Sequence, residues 1–68
     1  MVNSFYLNGL VVEIRHEESW EDSSIYIYDC LSNLSKAEQK AMVEYLYNEG
    51  LIEDRRIRTE VVRGEDMN

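Results

Sequence analysis

Residues 35–51 read SKAEQKAMVEYLYNEGL and contain the signals for both ends of one helix. Ser35 and Glu38 fit the capping box, in which each side chain accepts a hydrogen bond from the backbone amide of the other residue. Gly50 suits the left-handed position that commonly follows the last turn of a helix. The pattern therefore predicts a helix over about residues 36–49.

The predicted helix has one broad apolar face. At about 100° per residue, four of its residues point the same way and are assigned to the core: Met42, Val43, Leu46 and Tyr47. Tyr45 lies outside this face, on a side shared with Glu38 and Glu49. An aromatic ring between acids is typical of a contact surface. The alternative is that Tyr45 covers the edge of the sheet.

Three segments before the helix are typical of strands because they are rich in β-branched and aromatic residues. They cover residues 5–7, 10–15 and 24–28. Asn8-Gly9 separates the first two and favours the positive φ values of a type I′ hairpin turn. A single long strand with a glycine bulge is the alternative. After the helix, a last strand is predicted over residues 57–62.

The predicted order is β(β)βαβ. It belongs to the α+β class, with one helix packed on one face of a three- or four-stranded, antiparallel-type sheet. Residues 1–63 are expected to form a single domain, followed by a frayed polar tail over 64–68. A winged helix is a rival interpretation of the second half, in which a charged hairpin around Asp54-Arg55 follows the helix.

Composition narrows the class of partner. The chain has 14 Asp and Glu against 7 Lys and Arg, for a formal charge of −7. At 44% hydrophobic it is too apolar for a disordered chain, so the charge is expected on a folded surface. Such a surface repels phosphate backbones and anionic lipids. We therefore expect a basic partner, and neither direct nucleic-acid binding nor membrane binding.

The single cysteine and single histidine limit the chemistry. Cys30 has no second cysteine to pair with, and small secreted domains usually need disulfides. The first residues also lack a signal-peptide pattern, so the cytoplasm is favoured. Cys30 is expected to be a small buried hydrophobe and His16 a solvent-exposed side chain at a strand end. No metal, cofactor or catalytic residue is assigned, and an enzyme is not expected.

Four of the seven cations lie within nine residues near the end of the chain: Arg55, Arg56, Arg58 and Arg63. Acids interleave them, so the local charge balance is not that of a nucleic-acid-binding strip. They are predicted to form cross-strand ion pairs that steady the last strand.

An acidic segment between two predicted strands carries the only tryptophan. Residues 17–22 read EESWED, with Trp20 among four carboxylates. Tryptophan often dominates interface hot spots, and surrounding carboxylates steer a basic partner, so a docking loop is predicted. The alternative is that Trp20 folds back onto the sheet as a lid on the core, while the acids are merely solvated.

These features predict a small acidic protein-binding module. The predicted partner-contacting residues are Glu17, Glu18, Trp20, Glu21, Asp22, Glu38, Tyr45 and Glu49. In size, acidity and hairpin-plus-helix plan the chain resembles small phage-encoded inhibitors of host DNA-binding enzymes, such as uracil-DNA glycosylase inhibitors and other DNA mimics, without a shared motif. The resemblance implies carboxylates that imitate nucleic-acid phosphates and block a DNA- or RNA-binding protein.

Two other classes of function stay open. One is a homodimeric structural or assembly protein, whose acidity serves solubility alone. Its subunits would join through the sheet face that carries Tyr26 and Tyr28, because an apolar face of this kind is often buried between copies. The other is a regulator of the winged-helix type.

Overall fold

Four strands and one helix build the fold in the order β-β-β-α-β, which confirms the predicted α+β class. The computed structural model describes residues 2–30 and 33–63, so the tail predicted over 64–68 lies outside the described residues. The elements are β1 (Val2–Leu7), β2 (Leu10–Arg15), β3 (Ser24–Asp29), α1 (Lys36–Asn48) and β4 (Arg58–Arg63). The strands form one sheet in the order β1-β2-β3-β4.

The connection between β1 and β2 is the predicted hairpin turn rather than a bulge. Asn8 has a φ of 52° and Gly9 a φ of 80°, the positive values at both central positions that a type I′ turn needs. Leu7 pairs with Leu10 directly across the turn, and the register continues unbroken to the start of β1. β1 is longer than predicted because its first residues, from Val2, also pair with β2.

The helix begins at the predicted capping box. The Ser35 side chain accepts a hydrogen bond from the Glu38 amide, and the Glu38 carboxylate accepts one from the Ser35 amide, both at 3.1 Å. The bond from the Ser35 amide lowers the pKa of Glu38, because it favours the charged carboxylate. The sequence pattern thus located the start of α1 correctly.

The helix ends in a Schellman closure at Gly50, whose φ is 75°. The Leu51 amide bonds the Leu46 carbonyl at 2.9 Å, and the Gly50 amide bonds the Tyr47 carbonyl at 3.1 Å. These are the two bonds that define the motif, and they satisfy carbonyls that the helix itself leaves free.

β4 lies parallel to β3, so the sheet is mixed, with two antiparallel pairs and one parallel pair. The other two strand pairs are antiparallel, whereas Ser24 pairs with Arg58 in a parallel ladder. The cause is α1, because 13 residues at about 1.5 Å each carry the chain back by roughly one strand length. No hairpin forms around Asp54-Arg55, and the described residues contain one helix, so the fold is not that of a winged helix.

One face of the sheet carries the core, together with α1. The buried apolar residues are Val12, Ile14, Ile25, Ile27, Met42, Leu46, Ile52 and Ile57. Those of β2 and β3 alternate along their strands, as the period-2 pattern predicted. The opposite face of the sheet is not covered by α1.

Tyr47 does not belong to the core, although the helical period assigned it there. It is 41% exposed, while the adjacent Leu46 is fully buried. The Arg55 guanidinium lies 5.2 Å from the centre of the Tyr47 ring. The buried strip of α1 is therefore narrower than the apolar face of its sequence, and an arginine covers the part that the sheet does not reach.

Candidate functional site

The acidic segment lies at one end of the sheet, where it connects β2 to β3. Arg15 at the end of β2 pairs with Ser24 at the start of β3, and residues 16–23 join them. We call residues 17–22 the acidic loop. The carboxylates of Glu17, Glu18, Glu21 and Asp22 belong to exposed residues. Among the residues that the structure describes, none forms an ion pair with these four.

Two serines give the acidic loop a defined shape. Ser23 is nearly buried, and its hydroxyl accepts a bond from the Glu17 amide at 3.0 Å and donates one to the Ser19 carbonyl at 3.1 Å. The Ser19 hydroxyl accepts a bond from the Glu21 amide at 3.2 Å. The sequence interpretation missed both residues, although serines that bond nearby backbone groups are a signal of ordered loops.

Trp20 has features of both predicted roles, a docking residue and a lid on the core. It is partly buried, and the Arg56 guanidinium lies 4.8 Å from the centre of its ring. Arg56 is itself held by Asp54, which accepts hydrogen bonds from its side chain at 2.9 and 3.1 Å. The stack ties the acidic loop to the segment before β4, so the loop is fixed at a second point.

The Asp54–Arg56 pair is sensitive to acid. Hydrogen bonds from Arg56 lower the pKa of Asp54 from its ordinary value of 3.8 to about 2. Because the pKa of Asp54 is lower in the folded state, the pair stabilises the fold when the pH is above the ordinary pKa of 3.8. This contribution is lost as the pH falls through about 2. Asp54 also raises the pKa of Arg56, with a smaller contribution from Glu21 of the acidic loop.

The structure divides the remaining predicted contact residues between the two ends of the sheet. Glu49 is the C-cap of α1, from which the chain leads back to the start of β4 and so to the end that carries the acidic loop. Glu38 lies in the first turn of α1, near Asp29 at the opposite end. Six-residue strands separate the two ends by about 17 Å. The eight predicted residues therefore do not form one surface.

Tyr45 and Glu38 line an open groove at the opposite end of the sheet. Tyr45 is 46% exposed, and the groove between α1 and the hairpin turn has a volume of about 890 Å³. The apolar lining residues include Leu7, Leu10, Leu34, Ala41 and Met42. Tyr45 therefore lies beside the turn end of the hairpin, and not beside the acidic loop.

Cys30 also lines this groove and is exposed, which corrects the expectation of a buried cysteine. Strand alternation places Asp29, after Ile25 and Ile27, on the core side of β3, where it is 2% exposed. Cys30 follows in the turn. The Asp29 carboxylate accepts a hydrogen bond from the Leu34 amide at 2.9 Å, which links the end of β3 to the segment before α1.

The arginines near β4 pair differently from the prediction. The ion pairs are Arg55–Glu44 at 3.2 Å and Arg56–Asp54 at 2.9 Å. The first joins the β4 approach to α1 and the second is local, so neither crosses between strands. Within residues 2–30 and 33–63, Arg58 and Arg63 form no ion pair.

The part of the chain that the structure describes contains no cluster of metal ligands and no helix that could span a membrane. No three His, Cys, Asp or Glu side chains there are close enough to hold a metal ion. His16 is half-buried rather than solvent-exposed, with its Nε2 3.4 Å from the side-chain nitrogen of Asn3.

The one described helix is too short and too polar to cross a membrane. Comparison with known protein families, curated proteins and solved structures found no match to this chain.

The stack on Trp20 leads to a fluorescence prediction. Arg56→Ala removes the cation that covers the ring, so we expect the ring to become more exposed to water and its emission to shift to the red. Trp20 is the only tryptophan, so the spectrum reports this residue alone. Arg58→Ala is the control, because Arg58 lies on β4 outside the stack. An unshifted spectrum for Arg56→Ala would show that the stack does not shield the ring.

Proposed function

We propose that this protein is a small acidic binding module that occupies a basic site on a partner protein in the cytoplasm. In the more specific form of the proposal, the carboxylates of the acidic loop take the place of nucleic-acid phosphates, so that the protein inhibits a DNA- or RNA-binding partner. The acidic loop is the contact surface, with Glu49 at the same end of the sheet. The proposal is one of binding and includes no reaction.

An ordered cluster of exposed carboxylates that form no ion pair with a described residue supports this proposal. Four exposed acids lie within six residues, while the ion pairs of the described residues lie elsewhere, at Glu13, Glu44 and Asp54. Like charges held this close repel one another and oppose folding. Such a cluster becomes favourable when a basic surface approaches it, because the opposite charges then neutralise each other.

The rigidity of the acidic loop supports the same proposal. Hydrogen bonds of Ser19 and Ser23 and the Trp20–Arg56 stack hold the loop in one shape. A loop that is already ordered loses less conformational entropy when it binds, so more of the interaction energy appears as affinity. The carboxylates are thus presented on a scaffold rather than on a flexible tail.

Affinity capture tests the proposal. The immobilised protein should retain basic, nucleic-acid-binding proteins from a cell extract, and mass spectrometry identifies them. Retention should fall steeply between about 0.1 and 1 M salt, because the Debye length shrinks from about 10 Å to 3 Å. The identified partner is then mixed with labelled DNA or RNA, and this protein should compete with the nucleic acid. Simultaneous binding of both would contradict the inhibitor form.

A pair of charge variants tests the role of the acidic loop. Glu18→Gln/Glu21→Gln should slow association with the identified partner by about tenfold, because it removes charge from the contact surface. The control Glu38→Gln/Glu60→Gln removes the same charge away from the acidic loop, and glutamine keeps the capping box intact. Equal losses in the two variants, or retention that salt does not change, would contradict the proposal.

A further inference from the structure

The face of the sheet that α1 does not cover carries an ordered array of side chains, which we call the open face. Successive strand residues point to opposite faces, so the strand registers group the open-face residues into three cross-strand rows. The apolar row is Tyr6, Val11, Tyr28 and Val62; the acidic row is Ser4, Glu13, Tyr26 and Glu60; the basic row is Val2, Arg15, Ser24 and Arg58.

The apolar row runs across all four strands without interruption. Tyr6 is 79% exposed, and the other three members are shielded only in part. A contiguous apolar strip on an uncovered sheet face marks an interaction surface. We propose that a second copy of this chain covers it, so that two open faces pack together in a two-fold symmetric dimer. This inference goes beyond the proposed function and does not depend on it.

Charge complementarity selects the position of the two-fold axis. An axis parallel to the strands, between β2 and β3, lays each row on the same row of the other copy. Tyr6 then faces Val62 of the partner subunit, and Glu13 faces Tyr26 of the partner subunit. In this arrangement the apolar row meets the apolar row, and every charged side chain of the open face meets an uncharged one.

The centre of the face adds an attraction across the interface. The Arg15 guanidinium lies 4.2 Å from the centre of the Tyr26 ring and 2.6 Å from the Glu13 carboxylate. Glu13 of one copy faces Tyr26 of the partner subunit. It therefore also lies close to the positive charge of the partner's Arg15, which covers that ring. An axis perpendicular to the strands would instead stack Glu13 on its own copy, and like charges there repel.

The size of the open face sets the strength of the dimer. Four strands about 4.8 Å apart and six residues at about 3.3 Å give about 400 Å² of flat area per copy, before side-chain relief is counted. Specific interfaces bury about 800 Å² per partner, so an interface of about half that size belongs with the weak, transient associations. A dissociation constant of about 1–100 μM is expected. Because the axis runs along the strands, both acidic loops lie at the same end of the dimer.

Sedimentation equilibrium between about 1 and 500 μM tests the inference. The mass should rise with concentration from 8.1 kDa toward twice that value. Tyr6→Glu should raise the dissociation constant at least about tenfold, because it places a charge in the apolar row. Tyr6 is so exposed that the fold should not change, which circular dichroism verifies. Tyr45→Glu, on α1, is the control and should dimerise like the unaltered protein.

Glu13→Gln distinguishes the two axes without disturbing the shape of the face. With the axis parallel to the strands it removes an attraction to the partner's Arg15, so the dissociation constant should rise several-fold. With the perpendicular axis it would relieve a repulsion, and tighter association would overturn the arrangement. A chain that stays monomeric throughout, or a dimer unaffected by Tyr6→Glu, would overturn the inference itself.

Discussion

Leu46→Ala should remove about 2–5 kcal/mol of the free energy of unfolding, whereas Tyr47→Ala should remove less than about 1 kcal/mol. Leu46 is fully buried against the sheet, so its truncation loses apolar burial and leaves a cavity. A domain of this length is stabilised by only about 3–10 kcal/mol. We therefore expect a substantial unfolded population of Leu46→Ala at ordinary temperature.

Tyr47→Ala is a closely matched control, because it alters the neighbouring residue of the same helix. Tyr47 is 41% exposed, and its described contact is with the exposed Arg55, a contact worth about 0.5–1 kcal/mol. Urea denaturation followed by far-ultraviolet circular dichroism measures both losses. Comparable losses would place Tyr47 in the core, as the helical period alone predicted, and would contradict the contacts described for α1.

Asp29→Ala should lower the free energy of unfolding by about 1–3 kcal/mol. The Asp29 carboxylate is 2% exposed and accepts the bond from the Leu34 amide at 2.9 Å. Removing it leaves the part-buried amide without this acceptor, and an unsatisfied donor costs more than an average hydrogen bond contributes. The change also loosens the link between the end of β3 and the start of α1.

Asp29→Asn separates the hydrogen bond from the charge. The asparagine oxygen can still accept the bond from the Leu34 amide, so we expect a smaller loss of stability than for Asp29→Ala. Thermal unfolding of the two variants at one pH provides the comparison. If both variants lose the same amount, the charge of Asp29, and not its bond to Leu34, stabilises this end of the sheet.

Several local features were predictable because their energetics involve only a few neighbouring residues. The capping box needs Ser35 and Glu38 three positions apart, and the type I′ turn needs two residues that tolerate positive φ. Gly50 closes the helix for the same local reason. In each case the structure shows the predicted hydrogen bonds or backbone angles.

Features that depend on distant parts of the chain were predicted less well. Tyr47 was assigned to the core because the period of α1 does not reveal how far the sheet extends beneath it. Cys30 was expected to be buried, but strand alternation turns Asp29 inward and leaves Cys30 exposed. The parallel direction of β4 was not predicted, because it depends on where α1 returns the chain.

The candidate site shows the same division. The acidic loop was located correctly between β2 and β3, because charged residues between two apolar runs favour a connection. Its stack on Arg56, which lies 36 positions beyond Trp20, was not predictable. Glu38 and Tyr45 were grouped with the loop by composition, although both line the groove beside the hairpin turn between β1 and β2.

The sequence by itself determined the α+β class, the order of the elements, the hairpin turn, both ends of α1 and the excess of negative charge. These follow from backbone preferences and hydrophobic periodicity, which act over a few residues. Only the tertiary structure decided that β4 is parallel to β3, that Arg56 covers Trp20, and that the open-face residues form apolar, acidic and basic rows. Those outcomes depend on which strands pair and in which register, and pairing brings together residues that are far apart along the chain.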